Sequence, residues 1–461
     1  MYAVMLGGTV LAFLGIREYG LQHLVAPTAA VPVAHAPVTP GSFHFTDVFH
    51  LLLAMATVIA VGRVLGSLFH KLHQPPVIGE VIAGILLGPS LLGWVSPAAY
   101  GFLLPTNVAP YLQMIAQIGV ILYMFLVGLE LNTRLLREKG HAAVAISHAS
   151  IVVPFLLGSG LALLLYERLS TSDVNFTTFA LFLGVSMSVT AFPVLARILT
   201  DRNLTRTPLG SVALACAATD DATAWCLLAV AVGVAQAAVS QAVMTIGLTL
   251  AYVLFMFVVA RPLLQRFSAK LDRLASDGST SLPQNPIALV LLALVISALV
   301  TEAIGIHALF GAFLLGVVIP HDSRLAHEFT SKLQDIVAVL FLPAFFAFTG
   351  MRMQIGLVGG GTDLVICITI ILLATLGKFG GSTIAARFCG MPWRDASSIG
   401  ILMNTRGLME LIVLNIGLDL KVISPKLFAM LVIMAIVTTV MTTPVLDWLT
   451  RRGKSASAQA A

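Results

Sequence analysis

Apolar runs of bilayer-crossing length follow one another almost without pause from residue 47 to residue 449. They fall near 47–70, 75–95, 109–130, 142–166, 176–199, 208–235, 240–265, 285–303, 305–320, 333–351, 363–388, 394–418 and 424–449. A transmembrane helix needs roughly 20 mainly apolar residues. The pattern therefore predicts an all-α polytopic membrane protein with about thirteen core transmembrane helices. Composition agrees: 58% of the 461 residues are hydrophobic and 10% are charged, whereas a soluble globule carries about a quarter charged. No large soluble domain fits beside these runs. The chain divides into an N-terminal hydrophobic segment and polar linker (1–46), a transmembrane domain (47–449) and a short tail (450–461).

The N-terminal segment has two readings. The run Met1 to Ile16 precedes a Pro/Ala/His-rich stretch ending near Thr46, and Ala34-His35-Ala36 has the small-x-small form of a cleavage site. No lysine or arginine precedes that run, however, and the site lies far downstream. An extra helix is the expectation.

Loop charge gives the orientation, because lysine and arginine are retained on the cytoplasmic side. One alternating set of loops holds His70-Lys71, Arg134/Arg137/Lys139, Arg197/Arg202/Arg206, Arg261/Arg266/Lys270/Arg273, Arg324/Lys332, Arg387/Arg394 and Arg451/Arg452/Lys454. The opposite set holds only Arg168, Arg352, Lys421 and Lys426 after the first run. The expected arrangement is a cell-membrane protein with a cytoplasmic C-terminus. The net charge of +5 resides in these loops rather than in one basic patch, which disfavours nucleic acid as a partner. The four cysteines lie in or at the ends of apolar runs without CxxC spacing, so neither a disulfide framework nor a zinc site is indicated.

The two halves echo each other. Leu112-Gln113-Met114-Ile115 leading to Phe125-Leu126-Val127-Gly128 returns as Leu333-Gln334-Asp335-Ile336 leading to Phe346-Ala347-Phe348-Thr349-Gly350. A glycine-bearing helix precedes each, with Gly84 and Gly88 in the first half and Gly311 and Gly316 in the second. Two six-helix repeats joined by the 240–265 helix would have opposite orientations, and such inverted repeats place a site near the midplane where broken helices meet. The fifth helix of each repeat carries an interruption. Ser186, Ser188, Thr190 and Pro193 stand in mid-span in the first, and Asn404-Thr405-Arg406-Gly407 in the second. A lone proline is an ordinary kink; breaks at matching positions predict crossed broken helices around a cavity.

The strongest chemical signal is Thr219-Asp220-Asp221. At about 1.5 Å per residue from Pro208, both carboxyls stand roughly 18 Å into their helix, close to the bilayer centre. Intramembrane charges are costly and are usually paired, protonated or functional. Lys378, flanked by Gly377, Gly380 and Gly381, is equally deep; it is either a structural counter-ion or part of proton coupling. Arg406 and Glu410 are four apart and can pair with each other beside the second break, in a structural or a transport role. Glu80 and Glu302 are expected to line a cavity or sit at the interface, Glu130 and Asp335 at loop edges, and His307 packed or interfacial. No Walker loop, nucleotide-binding glycine fingerprint or HExxH is present. The chain does not read as an enzyme, and coupling to an ion gradient is the expected energy source.

Together, Gln74-Pro75-Pro76-Val77-Ile78-Gly79-Glu80, Phe125-Leu126-Val127-Gly128-Leu129-Glu130, Ser188-Val189-Thr190-Ala191-Phe192-Pro193, Thr219-Asp220-Asp221 and Asn404-Thr405-Arg406-Gly407-Leu408-Met409-Glu410 resemble the cation:proton antiporter-2 family. The resemblance implies a homodimer that exchanges Na+ or K+ for protons by alternating access, without cofactors. The expected mechanism makes Asp221 the carrier with Thr190 assisting and puts Asp220 in an ion pair with Lys378 that breaks as the cation binds, with Ser188, Pro193, Asn404, Thr405, Arg406 and Glu410 in support. Plant-type exchangers usually have Asn-Asp at the aspartate pair, which leaves the ion open. Proton release by Lys378 would make exchange electrogenic; its absence would allow electroneutral exchange. A gated cation channel lined by the same acids, or an efflux transporter for another solute, are the rival readings.

Overall fold

The computed structural model describes residues 2–27, 45–72, 74–105, 107–130, 140–202, 204, 207–236, 239–274 and 284–459. Ala34-His35-Ala36, the basic loop at Arg134/Arg137/Lys139 and Arg206 lie outside them, as do the side chains of Glu130 and Pro193. All regular elements among the described residues are helical. Among the described residues ten helices are long and apolar enough to cross a membrane: Asp47–Lys71, Pro76–Val95, Ala109–Leu129, Ala142–Leu169, Pro208–Ala235, Gly247–Asp272, Gln284–Ile304, Arg324–Leu357, Gly361–Phe388 and Pro425–Thr450. The remaining predicted runs are short or interrupted. One is the helix Ala308–Val318; the other two split into Phe176–Ser188 and Phe192–Asp201, and into Trp393–Met403 and Leu408–Asp419. Residues Tyr2–His23 form a further helix that packs on Gly140–Leu169 and Phe176–Ser188, with Phe13 against Phe155 and Arg17 donating to Thr177.

The repeat is visible in how the halves exchange contacts. Pro76–Leu87 of the first half crosses Leu342–Arg352 of the second, and Ala308–Val318 of the second crosses Ala109–Glu130 of the first. Each glycine-bearing helix thus packs on the other repeat's following helix, as a pseudo-two-fold relation requires. The crossings are backbone-close: a Cβ on Gly128 would stand 2.3 Å from the Phe313 carbonyl oxygen, and one on Gly350 would stand 2.3 Å from the Gly84 carbonyl carbon. The reciprocal contacts hold as well, since a Cβ on Gly316 would meet the Phe125 carbonyl oxygen at 2.3 Å. Small residues permit such approaches, and without a hydrophobic force between helices in lipid this packing is a principal source of association.

Two long helices contain π-helical turns for a local reason. Met256–Ala260 and Val337–Phe341 each end two residues before a proline, Pro262 and Pro343. A proline lacks the N–H for the carbonyl four residues back and its ring crowds that turn, so the helix widens. A third π turn, Leu376–Gly380, has no such proline and carries Lys378.

Burial separates rim from centre. Only 11% of the most apolar stretch of Gly247–Asp272 is buried, against 67% for Pro208–Ala235. The first is a lipid-facing helix by this measure, and the second, with the aspartates, is central. Around it stand Gly140–Leu169, both halves of the first broken helix and Trp393–Met403 of the second; Gly361–Phe388 packs on Gly140–Leu169 and reaches the central helix through Lys378, and Pro425–Gln459 lies against Trp393–Met403 and Leu408–Asp419.

Candidate functional site

The two interruptions meet. In the first, helix Phe176–Ser188 ends at Val189, whose backbone is extended, and helix Phe192–Asp201 starts after Thr190 and Ala191. In the second, Asn404, Thr405, Arg406 and Gly407 separate Trp393–Met403 from Leu408–Asp419. The Ala191 N–H donates to the Thr405 carbonyl at 3.0 Å, so one unwound strand satisfies the other. Non-helical backbone at membrane depth is tolerated when it is buried in protein in this way. Pro193 occupies the second position of the second half-helix, where its missing N–H costs nothing.

Arg406 stabilises the crossing. Fully buried, it donates through Nη2 to the Met187 carbonyl at 2.7 Å and through Nη1 to the Ser186 carbonyl at 3.1 Å and to Glu410 Oε2 at 3.0 Å. A cation thus sits on the carbonyl end of the opposite half-helix, where the helix dipole is negative. Its own backbone is held by Thr439, whose hydroxyl accepts from the Arg406 N–H at 2.9 Å and donates to the Arg406 carbonyl at 2.7 Å. Thr405 donates to the Leu402 carbonyl at 2.6 Å. Asn404 is buried, and among the described residues neither of its side-chain polar atoms has a hydrogen-bond partner.

The aspartates, both fully buried, have opposite surroundings. Asp220 is surrounded by donors: Ser147 donates to Oδ1 at 2.5 Å, while Ser150, Thr190 at 2.7 Å and Lys378 Nζ at 3.2 Å all donate to Oδ2. Lys378 also donates to Thr190 Oγ1 at 2.5 Å, closing a triangle of lysine, threonine and carboxylate. Among the described residues no group makes a hydrogen bond to either oxygen of Asp221. The Phe192 amide at the start of the second half-helix faces its carboxyl without completing a hydrogen bond. Helical geometry turns adjacent side chains about 100° apart, and that rotation gives one carboxylate a full set of partners and the other none among the described residues.

Of the predicted residues, Asp220, Thr190 and Lys378 therefore form one cluster, and Asn404, Thr405, Arg406 and Glu410 form the wall of the crossing. Thr190, expected to assist Asp221, is bonded to Asp220 and Lys378 instead. Ser188 also stands apart from both carboxylates, its hydroxyl lying 2.7 Å from the Gly184 carbonyl and 3.1 Å from that of Ile151. Ser147, Ser150 and Thr439 escaped the sequence reading; the three-residue spacing of the two serines, which places them on one helical face, was the available signal. Asp335, expected at a loop edge, is exposed, and Glu80 lies half-buried against Gly62 and Gly66. Glu302, His307 and Asp419 line a cavity of about 450 Å³ with Gln113, Gln117 and Ile416.

A buried, unpaired carboxyl beside two crossed, unwound helices from exchanged repeats is the architecture of a secondary active ion transporter. The chain belongs to the sodium/hydrogen exchanger family: residues 54–452 match the family described as "Sodium/hydrogen exchanger, transmembrane". It is 43% identical over 404 residues to the Na(+)/H(+) antiporter NhaS4 of Synechocystis sp., covering 86% of this chain and 97% of that protein. It is 38% identical to cation/H(+) antiporter 20 of Arabidopsis thaliana over 86% of this chain, and 34% identical to K(+)/H(+) antiporter 1 of Saccharomyces cerevisiae over 88%. The chain spans about half the length of these two, 48% and 47%. Among solved structures, the sodium proton antiporter MjNhaP1 of Methanocaldococcus jannaschii shares the fold, with a TM-score of 0.62 at 14% identity, covering 88% of this chain and 98% of that one.

Proposed function

We propose that this multi-pass membrane protein exchanges a monovalent cation, Na+ or K+, for protons at Asp221. The observation that carries the assignment is the contrast between the two carboxyls: Asp221 is fully buried with neither oxygen hydrogen-bonded among the described residues, while Asp220 is engaged by four donors. A buried carboxylate without partners is costly. It is relieved by a proton or by a cation, and the two compete for the same oxygens. Alternating access to the two sides then turns that competition into exchange. Asn404, with free amide oxygen and nitrogen at the crossing, and the unwound carbonyls of the breaks are the further oxygens a dehydrated cation could use. The exchange unit is taken as residues 47–449, in agreement with the family match over 54–452. A homodimer in the cell membrane with a cytoplasmic C-terminus fits the loop charges and the family.

The test is a proton-movement assay in proteoliposomes. A pH gradient reported by a quenched dye is challenged with Na+, K+, Li+ or Rb+ at several pH values. Saturable dequenching by Na+ or K+ is expected. No pH change with any of them would remove the exchange reading, and cation flux uncoupled from protons would replace it with a channel.

A further inference from the structure

Ser147 and Ser150 belong to neither broken helix and are separated from the aspartates by about seventy positions of chain, yet both hydroxyls end on Asp220. The helix that carries them, Gly140–Leu169, also seats the lysine. A Cβ on Gly377 would stand 2.9 Å from the Pro154 Cα, and one on Gly381 would stand 3.0 Å from the Ala149 carbonyl oxygen. These glycines flank Lys378 in the π turn and the helix that follows it. One helix thus braces both members of the Asp220–Lys378 pair. On the carboxylate, Ser147 is the one donor to Oδ1 among the described residues, whereas Oδ2 has three.

We infer that Ser147 and Ser150 are positioning residues that hold Asp220 towards Lys378 and out of the cation's coordination shell, so that a single carboxylate, Asp221, meets the transported ion. The inference rests on the antiport reading above and goes beyond it. A single carboxylate gives one unit of charge against one monovalent cation, which suits binding weak enough to be followed by release. Two carboxylates on one ion would bind it more tightly, release it more slowly, and suit a divalent cation as well. The serine hydroxyls prevent that by occupying the oxygens Asp220 would offer.

The experiment compares wild type with Ser147→Ala, with Ser147→Ala/Ser150→Ala, and with Ser147→Thr, which keeps a hydroxyl. KM and maximal rate for Na+ and K+ are measured in proteoliposomes, with and without Ca2+. Removal of the hydroxyls is expected to lower the KM by about tenfold, the factor that about 1.4 kcal/mol of added attraction supplies. It is also expected to lower the maximal rate and to make Ca2+ an inhibitor, while Ser147→Thr keeps the wild-type KM. Ordinary packing damage lowers the rate with the KM unchanged or raised, and that result overturns the assignment. A Thr variant that behaves like the Ala variant overturns it too. Should the double variant not fold, Ser147→Ala alone decides, because it frees Oδ1. A flat wild-type trace removes the antiport reading itself, whereas normal wild-type exchange with no fall in the variants' KM removes the clamp alone.

Discussion

Replacing Arg406 by methionine isolates what holds the crossing together. The guanidinium makes three contacts of 2.7–3.1 Å, to the Met187 carbonyl, the Ser186 carbonyl and Glu410 Oε2. Both members of the ion pair are fully buried. Truncating one partner of a buried pair costs about 3–5 kcal/mol, because the other charge is left uncompensated. Each stranded carbonyl adds about 1–3 kcal/mol. The loss expected for Arg406→Met is therefore about 5 kcal/mol or more. The double variant Arg406→Met/Glu410→Gln no longer strands a charge, so about 3 kcal/mol or more of that loss should return. The assay is thermal denaturation in detergent followed by size-exclusion retention at a fixed heating rate, since unfolding of such proteins is commonly irreversible. A midpoint for Arg406→Met equal to wild type, or a double variant no more stable than the single one, would refute the capping argument.

Other consequences are smaller or more specific. Gly128→Ala drives a methyl to within 2.3 Å of the Phe313 backbone oxygen, an overpacking expected to cost about 1–3 kcal/mol or more in the same thermal assay. Gly247→Ala, which meets no atom within 4 Å, should leave the midpoint unchanged or slightly raised through better helix propensity. Lys378→Met removes the 3.2 Å charged partner of Asp220 and is expected to abolish most exchange. Lys378→Arg should not restore it, because a planar guanidinium fork does not replace a point ammonium between a hydroxyl and a carboxylate. Because proton and cation compete for one carboxylate, the apparent KM for the cation should rise as pH falls, approaching about tenfold per pH unit once the protonated form predominates. A KM independent of pH across the active range would exclude competition at a shared site.

Much of this arrangement was legible because lipid makes polar residues conspicuous. Asp220, Asp221, Lys378 and Arg406 stand out in apolar runs by composition alone, and the structure buries all of them. The two breaks were visible through their polar clusters, and the repeat through glycine spacing. Partner choice was less visible. Nothing local distinguishes Asp220 from Asp221; the roughly 100° between them is given meaning by Ser147, Ser150, Thr190 and Lys378, which arrive from three other elements. Ser188 and Thr190 are two residues apart, and the end of the helix at Ser188 sends one hydroxyl to backbone carbonyls and the other to the carboxylate. The serine pair was hidden because hydroxyls are cheap in apolar helices, where they bond back to their own backbone. The π turn under Lys378 leaves no periodic signature in the sequence.

The assignment of Asp221 as the exchanging carboxyl is tested most directly by Asp221→Asn, which keeps the side chain's size and removes its charge. Initial rates of proton movement on adding saturating Na+ or K+ are compared with wild type in proteoliposomes of matched protein content. Loss of the cation-induced signal in a variant that purifies as a folded protein is expected. Exchange at the wild-type rate and with the wild-type KM would contradict the assignment.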